Sequence, residues 1–344
     1  MHEYYRLHPL QEEEEETELT RSVEQQIAME ERLYATYRRG RNGLSAGWTF
    51  EAKTTLSPMY FTHCTPDNLD YATGTSLQIF SVKIAGIKGD LKWPLYVYGV
   101  VAARDRVDFK CNILFHRTRE NAQQVTQDDP FLRLTGPARA ILPELDLEVE
   151  LRVKGRTESR DRALINQAYP YTHCCARLYT IGFHNCHYRI ELSLEQLENS
   201  VQATILSVRV VKGDPCTFKY GGRVACSSPP HEVVIMDSQG SVLEVTDPPS
   251  MQVVLLDSHY CNGGEMPMDT DELRQSNVFY PETFEETFKV VIQAYSQSGD
   301  VAAQGHVKLA PKLCNISQAV CDLGDSKVEI TVAWSVHVAS MMFL

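Results

Sequence analysis

Leu147-Glu148-Val149-Glu150-Leu151-Arg152-Val153-Lys154 alternates an apolar with a charged side chain at every position. Side chains along a strand point to opposite faces with a period of two. The stretch therefore reads as a β-strand with one face buried and one face wet. Its neighbours share the texture. Leu77-Gln78-Ile79-Phe80-Ser81-Val82-Lys83-Ile84 is apolar at alternating positions, and Leu95-Tyr96-Val97-Tyr98-Gly99-Val100-Val101 is a near-continuous apolar run of strand length. Further strands are expected at 113–116, 188–192, 201–211, 233–236, 253–256, 288–295, 306–309 and 328–338. Asp237-Ser238-Gln239-Gly240 and Ser296-Gln297-Ser298-Gly299-Asp300 supply hairpin loops between them. Short, regular strands without helical stretches between them predict a mainly β chain built as an antiparallel β-sandwich.

A faint repeat bears on how many sandwiches there are. Ser76-Leu77-Gln78 leads to Ser81-Val82-Lys83-Ile84 and Lys88-Gly89-Asp90. Ser200-Val201-Gln202 leads to Ser207-Val208-Arg209-Val210 and Lys212-Gly213-Asp214. Either similar strands look alike, or the region 75–340 contains two related sandwich units at about 75–165 and 175–340. Ahead of it, residues 1–45 read as an acidic helical extension, with Glu12 to Glu16 unbroken and Arg38, Arg39 and Arg41 at the far end, as a helix dipole favours. Leu19, Val23 and Ile27 fall four apart on one face of this N-terminal α-helix. It is either a solvated terminal helix that docks loosely or an amphipathic helix that binds a partner. Residues 46–74, rich in Gly and Pro, form a linker. Residues 257–283 are the least strand-like part and read as a surface loop or short helix.

Composition narrows the function. Hydrophobic residues make up 43% of the 344, close to the ~45–50% of ordinary globular chains. The formal net charge is −12, which argues against nucleic acid as the main partner. No stretch reaches the ~18–20 apolar residues of a membrane span, and the N-terminus lacks a signal-peptide pattern. A cytoplasmic or nuclear location is expected, with the ten cysteines as free thiols.

No P-loop, dinucleotide fingerprint, nucleophile elbow or zincin motif occurs, and the sequence calls for no cofactor. His173-Cys174-Cys175 with His184-Asn185-Cys186-His187 has zinc-type residues but not zinc spacing. The acidic residues 265–272 lack the pattern of an EF-hand. No metal is expected at either place. Basic residues gather at His116-Arg117-Thr118-Arg119 and at Arg152, Lys154, Arg156, Arg160 and Arg162. They make either an ion-paired surface or a site for an anion or acidic partner, since arginine forks grip carboxylates and phosphates bidentately. His116, Arg117, Arg119 and Arg139 are the candidate binding residues. No catalytic residue is assigned.

Five ordered phrases, Ser76–Ile84, Trp93–Gly99, Phe115–Arg119, Leu134–Ala140 and Leu147–Gly155, resemble a plant domain of unknown function abundant in grasses, over about residues 58–340. Some members of that family are associated with ribosome-inactivating N-glycosidase domains. The resemblance implies at most a shared pathway, in stress or defence, because no helical Glu-Ala-x-Arg segment occurs here. Three readings stand: a non-catalytic sandwich module binding a protein partner, a ribosome-directed glycosidase or other hydrolase, and a lipid- or ligand-binding sandwich.

Overall fold

A computed structural model describes residues 25–41, 49–64, 74–89, 91–172, 178–185, 188–227, 233–236, 242–246, 252–258, 276–278 and 288–338. The chain is mainly β, with antiparallel sheets and one N-terminal helix. Four sheets pack in pairs around two hydrophobic cores.

Sheet I carries β1 (Ser76–Ile87), β8 (Tyr188–Leu197), β7 (Leu178–His184), β11 (Val233–Met236) and β12 (Val242–Thr246), in that order. Sheet II carries β3 (Asn112–Arg117), β2 (Leu95–Asp105), β5 (Leu145–Val153) and β6 (Arg162–Tyr171), with β4 (Gln123–Val125) also on β2. The pairing of β11 with β7 is parallel. The inward side chains of both sheets, among them Leu77, Val101, Phe115, Leu147, Phe183 and Leu192, form the first core. Each contributes roughly 1.5–3 kcal/mol by leaving water.

The second core lies between sheet III and sheet IV. Sheet III carries β14 (Ser276–Val278), β9 (Gln202–Lys212), β18 (Ser326–Ser335) and β17 (Cys314–Leu323). Sheet IV carries β13 (Gln252–Ser258), β10 (Gly222–Ser227), β15 (Phe288–Tyr295) and β16 (Val301–Leu309). Trp334 is fully buried there, edge-on to Phe288 at 5.6 Å, and its indole N–H donates to Ser317 Oγ at 3.0 Å. The edges β16 and β17 abut so closely that a Cβ on Gly305 would meet the Asp322 carbonyl at 2.5 Å. The predicted hairpin at 296–300 joins β15 to β16, closed by Ser296 N–H donating to the Asp300 carbonyl. Its counterpart at 237–240 lies outside the described residues, as do Glu12 to Glu16 and most of 257–283.

Both strands that open the repeated phrases open a sheet pair, and their equivalent serines touch: Ser76 Oγ and Ser200 Oγ are 2.6 Å apart. The later parts of the two copies do not correspond. β9 pairs with β18, whereas β1 pairs with β8 and not with the alternating strand β5. Strands at β6, β7, β12 and β17 carry no clear alternation. β6 has Pro170 and sits at an edge, where a missing N–H is tolerated.

The helix α1, helical over residues 25–41, lies on the outer face of sheet II. The charged side of β5 is therefore not wet at this end: Asp146 and Glu148 are 9% and 3% exposed. The inward face of α1 is Ile27, Glu30, Tyr34, Tyr37 and Arg41, at helical spacing, while Leu33 and Met29 point to solvent. Of the predicted stripe, Leu19 and Val23 lie outside the described residues and Ile27 is on this face; the rest of the face is polar and aromatic anchors. Residues 49–64 also meet the sandwiches. Thr54 N–H donates to the Cys111 carbonyl at 2.9 Å, and Phe50 is buried.

Candidate functional site

The most chemically dense region is the outer face of sheet II and the seam where the two cores meet. Arg104 ends the apolar run of β2, and the pleat turns it outward beneath α1. Its Nε and Nη2 donate to both oxygens of Glu148 at 2.7 and 3.1 Å, and it also donates to the carbonyls of Phe109 and Phe50. The guanidinium stacks over Phe50 at 4.5 Å and reaches Cys111 Sγ at 2.8 Å. Burial alone would lower its affinity for a proton, but the hydrogen bonds and charge of Glu148 outweigh that and raise it. Tyr37 closes the site from the helix, its hydroxyl donating to Glu148 at 2.6 Å or to Asp146 at 3.0 Å. Burial, followed by the Glu148 charge, pushes the Tyr34 and Tyr37 hydroxyls up. Arg41 pairs with Asp146. Burial raises the Cys111 thiol to about 11, so it is no thiolate nucleophile at neutral pH.

At the same end of β2, next to Arg104, the Arg139 guanidinium is held bidentately by Asp105, both contacts at 2.7 Å, and by Asp108 at 3.0 Å. The Arg139 side chain is 4% exposed. Next to this knot, Gln202 Oε1 accepts from Ala140 N–H. Ser200 Oγ lies 3.0 Å from His337 Nε2, 3.0 Å from the Gly74 carbonyl and 2.6 Å from Ser76 Oγ. A hydroxyl has one proton, so His337 competes for it with the carbonyl and with a second serine. Burial pushes His337 down to about 4, and the Arg139 charge acts in the same direction. Ser76 and Ser200 are 0% exposed and His337 3%.

The opposite end of sheet II is built differently. The Asp161 carboxylate accepts from Arg119 Nε at 2.7 Å, Arg119 Nη2 at 3.2 Å, Tyr98 Oη at 2.7 Å and Gly155 N–H at 2.7 Å. The Arg119 hydrogen bonds hold it well below the usual carboxylate range. Arg119 also donates to the Gly155 carbonyl, tying the turn after β3 to the loop between β5 and β6.

The four candidate binding residues are therefore not one group. His116 is exposed and Arg117 half-buried at the end of β3, and Arg119 follows them. Arg117 pairs across to Gly99, while Arg139 binds Asp105 six residues further along β2, roughly 20 Å away at the rise of a strand. Asp105 and Asp108 neutralise Arg139, not the Arg117–Arg119 end. Of the zinc-type cluster only His184 and Asn185 are described. Among the described residues no three His, Cys, Asp or Glu side chains are placed to hold a metal. Sequence reasoning passed over Arg104, Ser200 and His337. The one available signal was Arg104 itself, a cation continuing an apolar strand.

A family model for a domain of unknown function (DUF6598) matches residues 76–332. The chain belongs to this family. No curated protein and no solved structure matches it. The DUF6598 match includes Arg104, Glu148, Arg139, Asp105 and Ser200, but not α1, Phe50 or His337. Tyr37, Arg41 and His337 are thus added to the DUF6598 sheets from flanking sequence. No helix of the described residues is long and apolar enough to cross a membrane.

Proposed function

We propose that this chain is a non-catalytic β-sandwich interaction module that binds a protein partner. One observation carries the reading: the side chains best suited to chemistry are engaged with one another inside the fold. Ser200 and His337, the pair with nucleophile–base proximity, sit sealed at the seam, where Ser76 and the Gly74 carbonyl share the Ser200 hydroxyl. A general base needs to reach both its nucleophile and a substrate. The resemblance adds a plant setting and a role in stress or defence to this proposal, and the sequence pattern adds a cytoplasmic or nuclear site of action. It links the module to ribosome inactivation by pathway and not by activity.

A fluorophosphonate probe, which reacts with activated serines, tests the reading. We expect no adduct on Ser200 in the folded chain. Stoichiometric labelling that disappears in Ser200→Ala would replace the module with a hydrolase.

A further inference from the structure

We propose that the Arg119 end of sheet II is the docking surface of the module, and that its partner is an acidic protein segment, a run of Glu or Asp side chains. The inference rests on the interaction-module reading and names the partner chemistry. Residues 117–120 and 152–161 carry six cations, Arg117, Arg119, Arg152, Lys154, Arg156 and Arg160, against three acids, Glu120, Glu158 and Asp161. The chain as a whole has a net charge of −12, so this positive end stands on an otherwise strongly acidic molecule.

The fold brings the two segments together. Arg152 lies directly across from Tyr98, and the Tyr98 hydroxyl binds the same Asp161 that Arg119 grips. Arg119 joins the two loops through Asp161 and the Gly155 carbonyl. Gly155 fits because a Cβ there would run into the Arg160 carbonyl. One cation and one acid are thereby used to brace the surface. Arg152, Arg156 and Arg160 remain exposed on it.

Size and chemistry select the ligand. The sheet is four strands wide here, roughly 15 Å at ~4.8 Å per strand, the span of about five extended residues. A short acidic peptide stays on the patch, and arginine forks bind carboxylates bidentately.

The test is fluorescence anisotropy with labelled octaglutamate at low and physiological salt. The full chain carries Glu12→Gln through Glu16→Gln, which removes the acidic run that would compete in cis. We expect salt-sensitive binding that falls at least tenfold in Arg156→Glu/Arg160→Glu. It should change twofold or less in Lys308→Glu/Lys312→Glu, which alters the net charge equally on exposed positions of the second sandwich. Unchanged melting curves establish that both variants fold. No binding, equal loss in the two variants, or tighter binding of an oligonucleotide of the same charge overturns the proposal. The module reading fails separately, on the serine probe.

Discussion

Glu148→Gln is the sharpest perturbation the structure offers. The substitution keeps the shape of the side chain and removes the charge that faces Arg104, whose side chain is 0% exposed. An unpaired buried charge costs about 3–5 kcal/mol, a large share of the ~5–15 kcal/mol that holds an ordinary domain together. The exposed pair Arg106–Glu144, with side chains 72% and 55% exposed, is the internal control, because such pairs contribute about 0–1 kcal/mol. Replacing both members of the buried pair, Arg104→Met with Glu148→Leu, removes both charges together and is expected to cost far less than the two single changes added. The assay is urea unfolding followed by amide hydrogen exchange at β2 and β5, so that the first core is observed apart from the second. If Glu148→Gln costs no more than Glu144→Gln, or if the double change is additive, the pair is not what secures this face and the description of the site is wrong.

His337 titrates near 6.5 when unfolded and at about 4 in the fold. Folding therefore loses stability as pH falls from about 6.5 towards 4, by up to about 3 kcal/mol at ~1.36 kcal/mol per pH unit; His337→Gln should flatten that part of the stability–pH curve in a calorimetric series. Gly99 has φ +126 and no space for a Cβ against the Glu150 carbonyl, so Gly99→Ala should destabilise by more than about 2 kcal/mol in urea, whereas Ala at the open Gly86 should not. Timed alkylation with mass spectrometry should modify exposed Cys64 and Cys216 well before Cys111 and Cys226, both buried, with thiols pushed up to about 11 and about 12. Glu30→Ala removes the acceptor for Asn166 N–H and Tyr188 Oη and should speed amide exchange in α1 without altering exchange in β18.

The fold was legible because burial leaves a local record. Alternation at 147–154, the apolar run at 95–101 and the turn at 296–300 each report a half-buried or fully buried strand without reference to the rest of the chain. The site left no such record. Arg104 and Glu148 are 44 positions apart, and their charges read alone as solvent-facing, which is why β5 was expected to have a wet face. Arg139 was grouped with Arg117 and Arg119 by residue type, and only the register of β2 shows that they occupy opposite ends of it. Ser200 and His337 are 137 positions apart, and neither residue type nor spacing marks them out.

The anchoring of α1 through Glu30 carries a consequence for biosynthesis. Glu30 and its partner Tyr188 are 158 positions apart, so the helix leaves the ribosome long before β8 can receive it. At ~5–20 residues per second the wait is about 8–30 s. Until Asp146 and Glu148 follow, 109 and 111 positions after it, Tyr37 has no sheet to cover. A nascent-chain chaperone or a partner already present at the ribosome would meet this helix first, before the rest of the protein exists to claim it.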